Sequence, residues 1–245
     1  MSASFAGQRV AVMGASHGIG EATAREFAEA GAQVVITGRA KVRLDAAATR
    51  IGHPVAVAEM DATDPDSVAA FFAAVEPLDH LVIALSSGAI GLGPFAELAE
   101  ADLRTAFDGK VFAHLRILRA ALPRIRRDGS VTLITAASAR AALPGSAGLA
   151  AVNGALESAV PPLAAELAPL RINAVSPGVV DTAWWAGMPE ADRAALFEGV
   201  AASLPVGRVG RPEDIARAIT YLAGNGFVTG TVLDCAGGAT LATGR

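Results

Sequence analysis

The chain is poor in the residues that build covalent and ionic scaffolds. A single cysteine, Cys235, stands among 245 residues, so neither an intrachain disulfide nor a multi-cysteine metal site can form. Cys235 reads as a small core residue. Charge is sparse as well: 18% of residues are charged, 20 basic against 24 acidic, for a net charge of −4. No run of Lys or Arg could follow a phosphate backbone or lie on an anionic membrane, so nucleic acid and membrane are not expected partners. The four histidines, at 17, 53, 80 and 114, lack metal-ligand spacing, and no metal is expected. The uncharged stretch between Arg140 and Glu157 is interrupted by Pro144, Gly145, Ser146, Gly148 and Asn153, which makes it a poor membrane span. Met1 to Gly7 carries no basic region, apolar stretch or cleavage site of a targeting segment, and a cytoplasmic location is expected.

Apolar material, by contrast, is plentiful. At 52% hydrophobic, the chain can fill one large core, and a single domain over residues 1–245 is expected. Short Val-, Ile- and Leu-rich runs alternate with alanine-rich, helix-like stretches, the pattern of βαβ units around a buried parallel sheet. Strands are predicted at Arg9–Met13, Gln33–Thr37, Val55–Glu59, His80–Leu85, Ser130–Thr135, Arg171–Val175 and Thr231–Asp234. Helices are predicted at Ile19–Ala30, Arg43–Ile51, Pro65–Val75, Ala101–Leu122, Leu149–Leu167 and Pro212–Gly224. The fold class is therefore α/β: a doubly wound, Rossmann-type, seven-stranded parallel sheet with helices on both faces. Pro161 and Pro162, inside the fifth helix, predict a kink or break near Val160. The segment 179–206, with Trp184, Trp185, Gly187, Met188 and Pro189, reads as an excursion over the carboxyl edge of the sheet. It is either a substrate lid or a surface helix pair.

Gly14-Ala15-Ser16-His17-Gly18-Ile19-Gly20 follows the first strand and opens a helix, so backbone N–H groups can approach a pyrophosphate there. The second strand ends in Gly38-Arg39, with no carboxylate to hold a ribose diol. Arg39 favours a 2′-phosphate, and NADP(H) is preferred over NAD(H). His17 could donate to the same phosphate or be a solvated side chain.

With these motifs in place, nearly the whole chain resembles the short-chain dehydrogenase/reductase family. Gly14-x-x-x-Gly18-x-Gly20 has that family's spacing. Met60-Asp61-Ala62 is similar to its adenine contact, and Asn173 to Gly178 with Val180 and Thr182 is similar to its nicotinamide-carboxamide clamp, which includes Pro177 and Gly178. Gly207-Arg208, Arg211 to Asp214 and Val228 to Gly238 resemble its C-terminal third. Leu85-Ser86-Ser87-Gly88 stands where the family has Asn-Asn-Ala-Gly, and its small residues still leave room for a nicotinamide. The resemblance implies an NADP(H)-dependent oxidoreductase acting on a small carbonyl or alcohol, assembled as a homodimer or homotetramer through the fourth and fifth helices.

The family's catalytic residues are replaced. Its tyrosine position falls on Leu149, its lysine on Asn153, its asparagine on Lys110 and its serine on Ala136, with Thr135 and Ser138 as neighbours. A shifted alignment restores nothing, because the chain has one tyrosine, Tyr221, in the last helix, and two lysines, Lys41 and Lys110. Lys110 is the strongest substitute proton donor, since a partly desolvated ammonium has its pKa lowered toward working pH. It could instead bind cofactor ribose or phosphate, or pair with Asp108. Ser138 could hydrogen-bond a substrate carbonyl, and Asn153 could keep the ribose contact. His114, one helical turn after Lys110, is either a core residue or a proton relay. Trp184 and Trp185 either wall the substrate or pack the lid. Two other functions remain open: a degenerate NADP(H)-binding protein acting through a partner, and a non-redox enzyme such as a cyclase or dehydratase on the same fold.

Overall fold

A computed structural model describes residues 4–241. One parallel sheet runs in the order β3-β2-β1-β4-β5-β6-β7. Its strands are β1 Arg9–Met13, β2 Gln33–Gly38, β3 Val55–Glu59, β4 Leu78–Ile83, β5 Ile125–Ile134, β6 Arg171–Pro177 and β7 Val232–Cys235. The helices are α1 Gly18–Glu29, α2 Lys41–Ile51, α3 Pro65–Ala74, α4 Glu100–Ala106, α5 Ala113–Ala121, α6 Ala147–Glu166, α7 Glu190–Ser203 and α8 Pro212–Gly224. This is the doubly wound architecture expected from the alternating pattern. Among the described residues, no helix is long and apolar enough to cross a membrane.

Successive strand residues point to opposite faces, and β1 shows why its sequence reads as a continuous apolar run. Ala11 and Met13 pack with Val68, Phe72, Ile117, Leu118 and Val160 from α3, α5 and α6. Val10 and Val12 pack with Phe27, Leu44, Ile215 and Ile219 from α1, α2 and α8. A strand covered on both sides has no polar face to alternate with.

Three elements depart from expectation. β4 lies two residues earlier than predicted, because its pairing with β1 ends at Ile83 opposite Met13, where β1 gives way to Gly14. β5 starts at Ile125, five residues early. That extension pairs with Leu78 through a shifted register and carries the exposed Arg126, Arg127 and Asp128, which hide it from an apolar pattern. Of the kink or break expected near Val160, the break does not occur: α6 runs continuously through Pro161 and Pro162. Both prolines are exposed, as is Ser158, and Glu157 is half-buried. Water can therefore satisfy the carbonyls of 157 and 158 that lose their helical donors, while Leu156, Val160 and Ala164 keep the apolar face docked.

The long helix predicted over Ala101–Leu122 is present but widens in the middle. Between α4 and α5 the turn Phe107–Phe112 is a π-helix, and Lys110 and Val111 are its buried residues. Such widenings are frequent at functional sites. The segment 179–206 forms a short 3-10 turn at Ala183–Trp185 followed by α7, none of whose residues is fully buried.

Candidate functional site

In a parallel sheet every strand delivers its carboxyl end to the same edge, and the order reverses between β1 and β4, the switch point at which such sheets form their ligand crevice. The glycine turn after β1 lies in this crevice. A Cβ on Gly14 would stand 2.7 Å from the Ala84 carbonyl oxygen, and one on Gly20 would stand 2.4 Å from the Gly14 carbonyl oxygen, so neither position admits a side chain. Gly18 has φ +60°, and a Cβ there would approach Thr182 to 3.3 Å. The turn thus faces the segment after β6, and the two walls predicted to hold a dinucleotide meet. His17 caps α1 without a side-chain hydrogen bond, leaving the first-turn N–H groups to face the crevice. Ile19 follows in that turn, half-buried. Glu21 would place negative charge beside these donors, but Arg50 at 2.7 Å and Arg25 at 3.2 Å neutralise it. Arg50 also donates to the Ser16 carbonyl at 3.1 Å.

The remaining strand ends surround this turn. Arg39 is exposed beyond β2 and free of an ion pair among the described residues. Asp61 accepts from the Thr63 hydroxyl at 2.7 Å and the Thr63 amide at 2.9 Å. These bonds hold its carboxyl below the usual range, aided by the charges of Arg39 and Arg116. The Ala62 carbonyl accepts from Arg116 at 2.8 Å. After β4, Ser86 Oγ accepts from the Gly88 amide at 3.0 Å, and Ser87 lies against the π-turn, 3.5 Å from where a Gly109 Cβ would stand. After β6, a Cβ on Gly178 would stand 3.0 Å from Ala236, Val180 bridges to Gly210, and Thr182 Oγ1 caps the 3-10 turn. Trp184 and Trp185 meet edge to face at 4.4 Å, and Trp185 meets Phe197 of α7 at 5.9 Å. The segment's few aromatics therefore pack on each other.

At the floor, Lys110 is 7% exposed. Its ammonium donates to Asn153 Oδ1 at 2.7 Å and more weakly to the Thr135 carbonyl at 3.4 Å. Its partners are neutral oxygens, and the pairing with Asp108 weighed above does not form. Asn153 is fixed in turn, its Nδ2 donating to the Leu149 carbonyl at 2.9 Å and to Ser138 Oγ at 3.2 Å. Burial pushes the Lys110 ammonium down to about 8, against the opposing pull of the Glu157 carboxylate. The two residues that stand at each other's family positions thus touch. His114 is fully buried, with Nδ1 2.7 Å from the Lys110 carbonyl and Nε2 3.1 Å from the Ile83 carbonyl. Burial and the Lys110 charge push its pKa down to about 3. A neutral ring donates to one of these carbonyls at a time, and both nitrogens face backbone, the arrangement of a core residue rather than a relay.

Sequence reasoning missed Glu157. Its side chain accepts from Thr135 Oγ1 at 2.9 Å and Ser176 Oγ at 2.8 Å, and meets Arg140 Nε at 3.3 Å. The available signal was a carboxylate one turn after Asn153 on an otherwise apolar helix. Tyr221 lies away from this site, 53% exposed on α8 in a cavity of about 670 Å³ that also borders Phe5, Glu26 and Glu29.

Comparison with known proteins agrees with this geometry. Residues 14–240 match the family described as enoyl-(acyl carrier protein) reductase. The cis-4-hydroxycyclohexanecarboxylate dehydrogenase of Sinomonas cyclohexanicum is 38% identical, over 98% of this chain and 99% of its own. The 2,3-dihydro-2,3-dihydroxybenzoate dehydrogenase of Escherichia coli K12 is 34% identical, over 89% of this chain and 90% of its own. A small-chain dehydrogenase solved in complex with NADPH superposes with a TM-score of 0.84 at 30% identity, covering 96% of this chain and 100% of that one. With relatives this similar along nearly its full length, the chain belongs to the short-chain dehydrogenase/reductase family of oxidoreductases.

Proposed function

We propose that the protein is an NADP(H)-dependent oxidoreductase of a small, largely apolar carbonyl or alcohol, with Lys110 replacing the family's tyrosine as proton donor. The observation that carries the cofactor is the uncapped, glycine-lined start of α1 at the switch point, facing Thr182 and bordered by an exposed Arg39. Ser16, His17, Gly18, Ile19 and Gly20 would hold the pyrophosphate through the turn, and Arg39 the 2′-phosphate. Asp61 and Ala62 would border the adenine. Ser86, Ser87, Gly88, Pro177, Gly178, Val180 and Thr182 would enclose the nicotinamide. The NADPH complex of a structural relative supports the same choice of nucleotide.

When bound, NADP(H) supplies or accepts the hydride. The chain's part is to bind, orient and move a proton. Lys110, with its pKa near 8, is largely protonated at neutral pH and can pass a proton to a substrate oxygen, then recover it from water. Asn153 aims the ammonium, and Ser138, already bonded to Asn153, can donate to the substrate oxygen from the other side. Segment 179–206 acts as the lid, and Trp184 and Trp185 supply its apolar wall. The reading also includes a homo-oligomeric enzyme working in the cytoplasm as one domain.

A panel of cyclic and aliphatic ketones tests this by loss of reduced-nicotinamide absorbance. Lys110→Met should abolish turnover while cofactor binding stays within about tenfold of the unaltered protein, a change of about 1.4 kcal/mol or less. Unchanged turnover would remove Lys110 from the chemistry.

A further inference from the structure

Glu157 is a carboxylate enclosed beneath the Lys110 end of the site. Its helix, α6, also carries Asn153, one turn earlier on the same face. Only 10% of its side chain is exposed. One oxygen, Oε1, accepts from Thr135 at the end of β5 and from Ser176 at the end of β6. Thr135 is the same residue whose carbonyl lies under the Lys110 ammonium, and Asn153 is the ammonium's other partner. Both oxygens that locate Lys110 are thus held by elements that Glu157 ties together. The second carboxylate oxygen, Oε2, meets Arg140, which reaches Asp234 of β7 at 3.8 Å.

We propose that Glu157 is a positioning residue for Lys110: it clamps the carboxyl ends of β5 and β6 beneath the ammonium and sets a negative charge across the floor from it. The inference rests on Lys110 being the proton donor. The charged and titratable groups around Lys110 are few. His114 approaches from α5 and is neutral, Asp108 of the same π-turn is exposed, and Glu157 faces it from α6. Arg140 and Asp234 lie behind Glu157. Glu157 does not contact Lys110 directly, so its influence is a field through the low-dielectric floor plus the geometry of Thr135.

The chain's scarcity of lysine makes the test direct. Protein labelled with carbon-13 at lysine Cε gives two resonances, Lys41 and Lys110, and Lys41→Arg assigns them. Lys41 is an exposed residue paired with Asp45 and serves as the internal reference. Glu157→Gln keeps an acceptor for Thr135 and Ser176 but removes the charge. It should lower the Lys110 midpoint by about half a pH unit or more, less than the 1–3 units of a direct ion pair. Arg140→Met, a change at a half-exposed residue, leaves the Glu157 charge uncompensated and should move the midpoint upward. A purely structural Glu157 predicts the wild-type midpoint in Glu157→Gln, and that result overturns the proposal. Should Glu157→Gln fail to fold, an unmoved Lys110 in Arg140→Met is sufficient to overturn it. Because the titration reads Lys110 without cofactor or substrate, its failure is separable from a failure of the oxidoreductase reading, which shows as absent NADPH binding or unchanged Lys110→Met turnover.

Discussion

Replacing Lys110 with Met should remove activity and yet change stability in a direction that depends on pH. Burial takes the ammonium from 10.5 to about 8, roughly 2.5 pH units. At about 1.4 kcal/mol per unit, holding the charged form in the folded protein costs about 3 kcal/mol at neutral pH. Met keeps most of the side-chain volume without that cost, but strands Asn153 Oδ1, a penalty of about 1–3 kcal/mol. The variant should therefore equal or exceed the wild type at pH 7 by up to about 2 kcal/mol. The pH dependence separates the two terms. Between pH 8 and 10.5 the unfolded chain holds a proton on Lys110 that the folded chain has released, so wild-type stability rises with pH across that window. The variant lacks this rise, and the penalty at Asn153 does not titrate. The difference between the two proteins should shift in favour of the wild type by about 3 kcal/mol from pH 7.5 to 10.5, or roughly 6–12 °C in Tm for a chain of this size. Parallel unfolding curves over that range, with protein concentration fixed, would refute the buried ammonium.

Other expectations follow from the same geometry. His80 bridges Gln8 Oε1 and Ser130 Oγ, both at 2.7 Å, and burial pushes its pKa down to about 4. Its neutral form supports the fold above pH 6.5, and up to about 3 kcal/mol should be lost as pH falls from 6.5 to 4; urea midpoints of wild type and His80→Asn should converge over that interval. Gly20→Ala places a Cβ 2.4 Å from the Gly14 carbonyl oxygen, so it should distort the turn and remove the rise in Tm that NADPH gives the wild type. Retention of that rise would show that the turn does not hold the nucleotide.

How much of this could be read from the sequence depended on how local each signal was. β1, β3 and α8 were predicted to the residue because the apolar runs stop at Gly14, at Met60-Asp61, and between Pro212 and the Gly224-Asn225 end. The glycine turn was legible because Gly14 and Gly20 are required by contacts with the end of the adjacent strand and within the turn itself, and Gly18 by its own φ of +60°. That α6 does not break was not legible, because proline's cost in a helix depends on whether solvent can reach the orphaned carbonyls, which the sequence does not state. The π-turn at Lys110 leaves no periodic mark, since one extra residue per turn over six residues looks like an ordinary helix. The pairing of Lys110 with Asn153 joins residues 43 apart, and Glu157 with Ser176 joins residues 19 apart on different elements. Family positions brought Lys110 and Asn153 to the same crevice, but only the packing of the π-turn against α6 showed that they touch. Arg140 and Glu157, which bound an uncharged stretch in the sequence, are ion-paired in the fold.

The most direct test of the central claim is a fluorescence titration with NADPH and, separately, NADH, following tryptophan emission and energy transfer to the reduced nicotinamide. Trp184 and Trp185, the chain's only tryptophans, sit in the segment proposed to cover that ring. NADPH should bind with transfer and at least about tenfold more tightly than NADH, and Arg39→Ala should erase that preference, as loss of one charge-assisted contact worth about 1.5–3 kcal/mol requires. Absence of binding by either nucleotide would contradict the account.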